Sequence, residues 1–205
     1  SERIDIESPK YSSACVMRHR TRYQWARDVI RSRFVHAGRI IDFASGTGYG
    51  SAILAQAAHE VMGYDKDHEA VRLATARHSS TLVTFSVSDR IENHACIACR
   101  CQDASYHCPF HPLFDAVVSI ETIEHLENPA QFLEACRALI MPHGLLVLST
   151  PEKDALGPGV LRSKFHLKEY AQDELTAFVE RFGFDGVRYD AVLPGFLCLT
   201  ARRTP

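Results

Sequence analysis

Residues 39–50 read Arg39-Ile40-Ile41-Asp42-Phe43-Ala44-Ser45-Gly46-Thr47-Gly48-Tyr49-Gly50. A short apolar run ends in a carboxylate and breaks into glycines at alternate positions. Ser51 to Ala58, Ser-Ala-Ile-Leu-Ala-Gln-Ala-Ala, is good helix-forming composition. The stretch predicts a strand, a tight turn and a helix over 39–58, a geometry in which backbone N–H groups approach a ligand closely. The next apolar run, Glu60-Val61-Met62-Gly63-Tyr64, ends in a second acid, Asp65, 17 residues after Gly48. In a parallel nucleotide-binding sheet an acid at that position meets ribose hydroxyls. Asp42 narrows the ligand further. It would repel a pyrophosphate and attract the ammonium of an amino-acid moiety.

In this order the residues resemble the first motif of the class I S-adenosylmethionine (SAM)-dependent methyltransferases, an acid followed by a G-x-G-type loop. Ala44 and Ser45 depart from the commoner Gly-Cys pair, and Ala is the smallest step from Gly. The resemblance implies that Asp42, Ala44, Gly46 and Gly48 hold the methionine end of SAM and that Asp65 holds the ribose. Asp103 and Ala104 would then edge the adenine, with Ile120 also at the cofactor. The order of motifs over residues 15–202 is similar to that of bacterial methyltransferases acting on sugars, quinone precursors and cell-surface components.

Composition is that of an ordinary globular chain: 205 residues, 46% hydrophobic and 23% charged. One domain is expected, with an N-terminal segment and lid helix over 1–38 and the methyltransferase domain over 39–205. A net charge of −2 argues against binding polyanions by bulk charge, although residues 1–40 carry nine Lys/Arg against four acids, a local +5. That excess fits either a patch for a phosphate-bearing substrate or a solvated helix face. No apolar run approaches the roughly 18 residues needed to span a membrane, and no stretch reads as a signal peptide. Seven cysteines, an odd number, point to reduced thiols and a cytoplasmic setting.

Along the chain, Val16, Tyr23, Ala26, Val29, Ile30 and Phe34 give a helical pattern from Cys15 to Phe34. A second strand is expected over 60–65 and a helix over Asp67–Arg77. Thr81-Leu-Val-Thr-Phe-Ser-Val-Ser has strand character. The acid-Ala pair Asp103-Ala104, twelve residues before Asp115, nevertheless favours Cys96–Cys101 as the third strand and 78–93 as an insertion. Asp89 is the rival acid if that register is wrong. The fourth strand is expected over Phe114–Ile120. A helix is expected after Asn128-Pro129, a buried strand over Leu145–Ser149, a loop over 151–168 and a helix over Ala171–Phe182. Strands near Gly186–Leu193 and Phe196–Ala201 flank Pro194-Gly195. The fold class is α/β: a doubly wound, mostly parallel seven-stranded sheet with a C-terminal antiparallel hairpin.

The chemistry concentrates in Ser119-Ile-Glu-Thr-Ile-Glu-His-Leu-Glu127, after the fourth strand and so at the carboxyl edge of the sheet. A helical turn here would put Glu121, Glu124 and His125 on one face. Glu-x-x-Glu-His resembles the metal motif of small-RNA 3′-terminal 2′-O-methyltransferases. Their fourth ligand is a histidine in a His-x-x-Glu-aromatic context, matched here by His166-Leu-Lys-Glu169-Tyr170. The resemblance implies a Mg²⁺ or Mn²⁺ ion held by Glu121, Glu124, His125 and His166. Such an ion would lower the pKa of an acceptor hydroxyl and align it with the methyl group. Without a metal, His125 or His166 would serve as general base, with Glu121 as a third catalytic candidate. Cys96, Cys99, Cys101 and Cys108, near His94, His107 and His111, superficially resemble a zinc cluster. Their C-x-x-C-x-C spacing does not make two knuckles, and buried strand cysteines are common.

The sequence therefore predicts a SAM-dependent O-methyltransferase acting on a small-molecule or sugar-like hydroxyl. An RNA 3′ end is the alternative acceptor, although the aromatic interleaving of a single-strand platform is sparse. A non-catalytic SAM-fold subunit that supports a partner is a third reading. An NAD-dependent oxidoreductase is disfavoured by Asp42 and the terminal hairpin.

Overall fold

The computed structural model describes residues 11–34, 37–87, 113–159 and 161–205. Helix α1 (Ser13–Arg33) begins at Ser12, whose side chain accepts the N–H of Cys15 at 3.2 Å. It buries Arg22, Tyr23, Ala26 and Ile30 along one face. Strand β1 (Ala37–Phe43) and helix α2 (Tyr49–Leu54), extended by a 3₁₀ turn at Ala55–Ala57, follow as expected from the glycine motif. Then come β2 (Ala58–Asp65), α3 (His68–His78), β3 (Val83–Val87) and β4 (Phe114–Ile120). The chain continues with α4 (Pro129–Leu139), β5 (Ile140–Pro151), α5 (Gln172–Arg181), β6 (Phe184–Tyr189) and β7 (Phe196–Arg203). Asp67 caps α3 and Asn128 caps α4, both through side-chain oxygens, and Pro129 opens α4.

The seven strands lie in the order β3-β2-β1-β4-β5-β7-β6. All neighbouring pairs from β3 to β5 are parallel, and β7 runs antiparallel between β5 and β6. Successive residues of a buried parallel strand serve opposite layers. Ile40, Val61, Ala116, Val118 and Val147 pack with Tyr23, Ala26 and Ile30 of α1 and with Leu54 of α2. Ile41, Met62, Val117, Leu146 and Leu148 pack with Phe132 and Leu133 of α4 and with Leu175 and Val179 of α5. The sheet is thus covered on both faces, and its carboxyl edge gathers Asp42, Asp65, Ile120 and Pro151. No helix among the described residues is long and apolar enough to cross a membrane.

The third strand is Val83–Val87, not Cys96–Cys101. It pairs with β2 from Val61↔Val83 to Asp65↔Val87, and the Val61 N–H reaches Leu82 O at 2.8 Å. The physical reason is local. β-Branched and aromatic residues at 83–85 and 87 follow the end of α3 after only four residues, within the usual span of a helix-to-strand connection. The acid-Ala spacing outweighed that signal in the sequence. Cys96–Cys101, Asp103, Ala104, Asp89 and the cysteine–histidine cluster lie outside the described residues.

Candidate active site

The glycine motif folds at the carboxyl end of β1. Gly46 and Gly48 take φ values of 55° and 84°, as glycine allows, and Ala44 is held at 61°. Space also requires Gly48, because a Cβ there would stand 2.6 Å from the Phe85 ring and 2.7 Å from Ala74 Cβ. Ser45 N–H donates to Tyr64 O at 2.9 Å, binding the turn to β2. Asp65 completes the junction. Its carboxylate accepts the Gly46 N–H at 2.8 Å and the Asp67 N–H at 2.9 Å, while its side chain remains partly exposed.

Asp42 is different in kind. It is fully buried and accepts from Ser51 Oγ at 2.6 Å and from Tyr23 Oη at 3.1 Å. Burial pushes its pKa up to about 7, against the two hydrogen bonds that lower it, with Asp65 adding a smaller upward push. Tyr49 Oη lies 3.0 Å from His19 Nδ1, and burial together with Arg22 and Arg18 lowers the pKa of His19 to about 3. Asp42 therefore ties α1 and α2 to the strand end. Sequence reasoning missed Ser51 as a partner, although its place one turn into the helix was the available signal.

The second cluster lies at the ends of β4 and β5. The stretch after β4 makes one 3₁₀ turn, Ile123–His125, and not the longer helical face expected. Glu121 precedes that turn with φ 55° and points to Arg22, Nη2 to Oε2 3.6 Å. It stands apart from the other three. Glu124, His125 and His166 come together, each offering a ligand atom within 4.8 Å of the others. The distant partner is positioned by the backbone: Leu167 N–H at 2.7 Å and Lys168 N–H at 3.2 Å both donate to Glu124 O. That pair of bonds docks the 152–168 loop on the turn and sets His166 beside His125, ring centroids 4.9 Å apart.

Each of the three side chains is oriented by a further partner. Glu124 Oε2 accepts from Thr150 Oγ1 at 2.9 Å, and its buried Oε1 has no hydrogen-bond partner. His125 Nδ1 lies 3.0 Å from Phe165 O, and His166 Nδ1 lies 2.6 Å from Glu169 Oε1. With its proton on the nitrogen that faces the carbonyl or the carboxylate, each neutral ring would present Nε2 as a lone-pair donor. Glu169 also accepts the Arg162 N–H at 2.6 Å. Burial raises the Glu124 pKa well above the ordinary value, and Glu121 adds to the rise. The cluster thus presents one orphaned carboxylate oxygen and two imidazole nitrogens, a donor set that suits a divalent cation. Thr150 was not singled out from sequence, since a threonine ending a buried strand carries no distinctive signal.

A family model described as a methyltransferase domain matches residues 17–189. The chain belongs to the SAM-dependent methyltransferases. A probable S-adenosylmethionine-dependent methyltransferase of Mycolicibacterium smegmatis is 33% identical over 168 residues, 78% of this chain and 59% of that protein. The mitochondrial ubiquinone biosynthesis O-methyltransferase of Arabidopsis thaliana is 34% identical over 112 residues, 55% of this chain and 32% of its own. This methyltransferase therefore spans less than two thirds of the length of either relative. Among solved structures, the methyltransferase domain of bacterial CtHen1-C shares the fold with a TM-score of 0.67 at 20% identity, covering 92% of this chain and all (100%) of that one.

Proposed function

We propose that the chain transfers the methyl group of SAM to a hydroxyl oxygen of a small-molecule or sugar-like acceptor, with a divalent cation at Glu124, His125 and His166. The reading is carried by one observation: three donor atoms converge at the carboxyl edge, and the rest of each side chain is already engaged. In this reading Gly46 and Gly48, with Ala44, line the methionine end, Asp65 takes the ribose hydroxyls, and Ile120 borders the cofactor. Asp42 acts through Tyr23 and Ser51, holding the two helices against the loop, and its field favours the ammonium without touching it. Asp103 and Ala104, or Asp89 two residues beyond β3, remain the candidates for the adenine.

Bound there, Mg²⁺ or Mn²⁺ would lower the pKa of the acceptor hydroxyl and fix its approach. The residues do the rest. Glu169 and Phe165 O hold the imidazoles in the tautomer that presents Nε2, and Thr150 keeps the Glu124 carboxyl turned inward. The C–O bond forms as the C–S bond of the sulfonium breaks, S-adenosylhomocysteine (SAH) leaves, and the hydroxyl proton passes to bulk water. A second reading gives that proton to His125 Nε2 as general base, favoured by the partial exposure of this side chain, 26%. The ubiquinone biosynthesis O-methyltransferase relative supports oxygen as the atom methylated.

Calorimetric titration of Mn²⁺ into the SAH-saturated protein tests the proposal beside His166→Ala. Single-site binding by the wild type, lost in the variant with SAH affinity kept, is expected. Tight SAH binding with no heat from Mn²⁺ would leave a metal-free enzyme with a histidine base.

A further inference from the structure

Large hydrophobic side chains on a surface are ordinary when scattered and informative when they gather. Six are exposed among the described residues, and Met17 and Leu82 stand singly. The other four fall together between β5 and α5: Leu156 (55% exposed), Leu161 (46%), Phe165 (47%) and Leu167 (58%). Looseness does not explain their exposure, because the segment is fastened from within. Glu152 N–H donates to Gly195 O at 3.0 Å, Lys153 N–H donates to Tyr170 O at 2.9 Å, and the N–H groups of Leu167 and Lys168 reach Glu124 O. Asp154 accepts the Gly159 N–H at 2.8 Å and closes the turn that carries Leu156. Gly157 and Gly159 take φ values of 116° and 73° there, and a Cβ on either would meet nothing within 4 Å. The turn therefore projects into solvent.

The charges beside these residues indicate what they face. The exposed charged side chains of 153–168 are Lys153, Lys164 and Lys168 against Asp154, in a chain whose net charge is −2. The Lys164 ammonium lies 5.2 Å from the centroid of the Phe165 ring. Lys168 pairs with Glu174 at 2.5 Å, a surface contact of small worth. Leu161 and Leu167 line one cavity of about 230 Å³ with Lys153 and Lys168. The carboxylates of Asp154 and Glu169 share its wall, each already engaged by an N–H of the segment. Leucines flanked by ammonium groups suit a partner that is anionic outside and apolar beneath. A second copy of this face fails the first condition, because a two-fold axis would set lysines against lysines. An anchored acidic peptide needs a groove, whereas the Leu156 turn projects. An anionic bilayer meets both conditions.

We propose that residues 153–168 dock the protein on an anionic lipid surface. Leu156, Leu161, Phe165 and Leu167 enter the boundary between headgroups and acyl chains, and the three lysines meet lipid phosphates. The contact is peripheral and stands independently of the reaction assigned above. Docking brings the His125–His166 cluster to the bilayer surface, since buried His166 lies between two of the inserting residues.

The test is flotation of the purified protein with vesicles of phosphatidylcholine alone and of phosphatidylcholine with about one third phosphatidylglycerol. Circular dichroism confirms that each variant is folded, and size-exclusion chromatography reports its oligomeric state. The wild type is expected to partition onto the anionic vesicles at least about tenfold better than onto the neutral ones, and less as salt rises. Lys153→Gln with Lys164→Gln should lower that partitioning about fivefold per lysine. Leu156→Ser with Leu161→Ser should lower it about tenfold or more, while Leu82→Ser, an exposed leucine before β3, should change it less than about twofold. Equal partitioning onto both vesicles, no partitioning onto either, or partitioning that survives the double leucine variant would overturn the proposal. So would an equal loss in Leu82→Ser. A wild-type dimer that binds no vesicles and is split by the double leucine variant would assign the face to a second copy instead, and would overturn it too.

Discussion

Glu124→Gln separates a cation site from a purely structural acid. Gln keeps the shape of the side chain, and its carbonyl oxygen still accepts from Thr150, but it cannot supply a charged ligand atom. In the unliganded protein the cost is small, within roughly 1 kcal/mol, because burial and Glu121 both push the Glu124 pKa up and so favour the neutral form that Gln resembles. The cation changes the comparison. At Mn²⁺ one hundred times above its dissociation constant, linkage stabilises the wild type by about 2.7 kcal/mol. For a chain of 205 residues that is a rise in Tm of roughly 5–11 °C, at about 2–4 °C per kcal/mol. Glu124→Gln should keep the wild-type Tm in EDTA and lose most of that rise, as measured by scanning fluorimetry with Mn²⁺, Mg²⁺ and EDTA in the presence of SAH. A variant that gains as many degrees as the wild type would refute Glu124 as a ligand. A wild type that responds to neither cation would refute the site.

Three further outcomes follow from the glycine motif. Ala44→Gly should stabilise the chain by about 0.5–1 kcal/mol, since left-handed backbone costs an L residue roughly 1–2 kcal/mol and the freer unfolded glycine returns only part of it. A lower urea midpoint would show instead that the methyl group packs usefully. Gly50→Ala places a Cβ inside the Tyr23 ring, so α1 must shift; a loss of about 2 kcal/mol or more and weaker SAH binding are expected, and unchanged affinity would detach α1 from the cofactor site. For Asp42 the folded pKa of about 7 stands above the ordinary 3.8, so the folded state holds the extra proton. Its contribution to stability is complete below pH 3.8, declines as pH rises and is lost beyond about 7. Asp42→Asn should flatten the fall in urea midpoint between pH 4.5 and 7.5. Glu124 shifts in the same direction, so part of the slope should survive; an unchanged slope would remove Asp42 as its source.

Most of the frame was legible because strand, turn and helix signals agreed with one another from Arg39 to Leu54 and again from Phe114 to Pro151. The third strand was misread where two signals competed. Thr81 to Val87 carried local strand propensity, and Asp103-Ala104 carried a motif spacing. The strand formed where the connection from α3 was shortest. At the candidate site, Glu124, His125 and His166 were legible as residue types in a pattern. Their geometry was not, because it depends on two N–H groups from positions 167 and 168 reaching one carbonyl some forty residues earlier. The same limit applies to Glu121. Helical spacing aligned it with Glu124, but a left-handed residue between strand and 3₁₀ turn redirects it to Arg22.

The two acids of the cofactor motif divide their work by exposure. Asp65 accepts one backbone N–H from the glycine turn and one from Asp67 at the start of α3, and its partly exposed oxygens can accept more. Asp42 accepts from a tyrosine and a serine on two different helices and is closed to solvent. A carboxylate so placed is poorly suited to grip a ligand directly and well suited to sense one. Positive charge arriving nearby would pull its pKa down from about 7 and expel a proton. Binding of SAH near pH 6.5 should therefore release protons from wild type and fewer from Asp42→Asn, measured as the dependence of binding heat on buffer ionisation enthalpy. Equal release from both proteins would mean that Asp42 is a strut between α1, α2 and β1 with no electrostatic link to the cofactor.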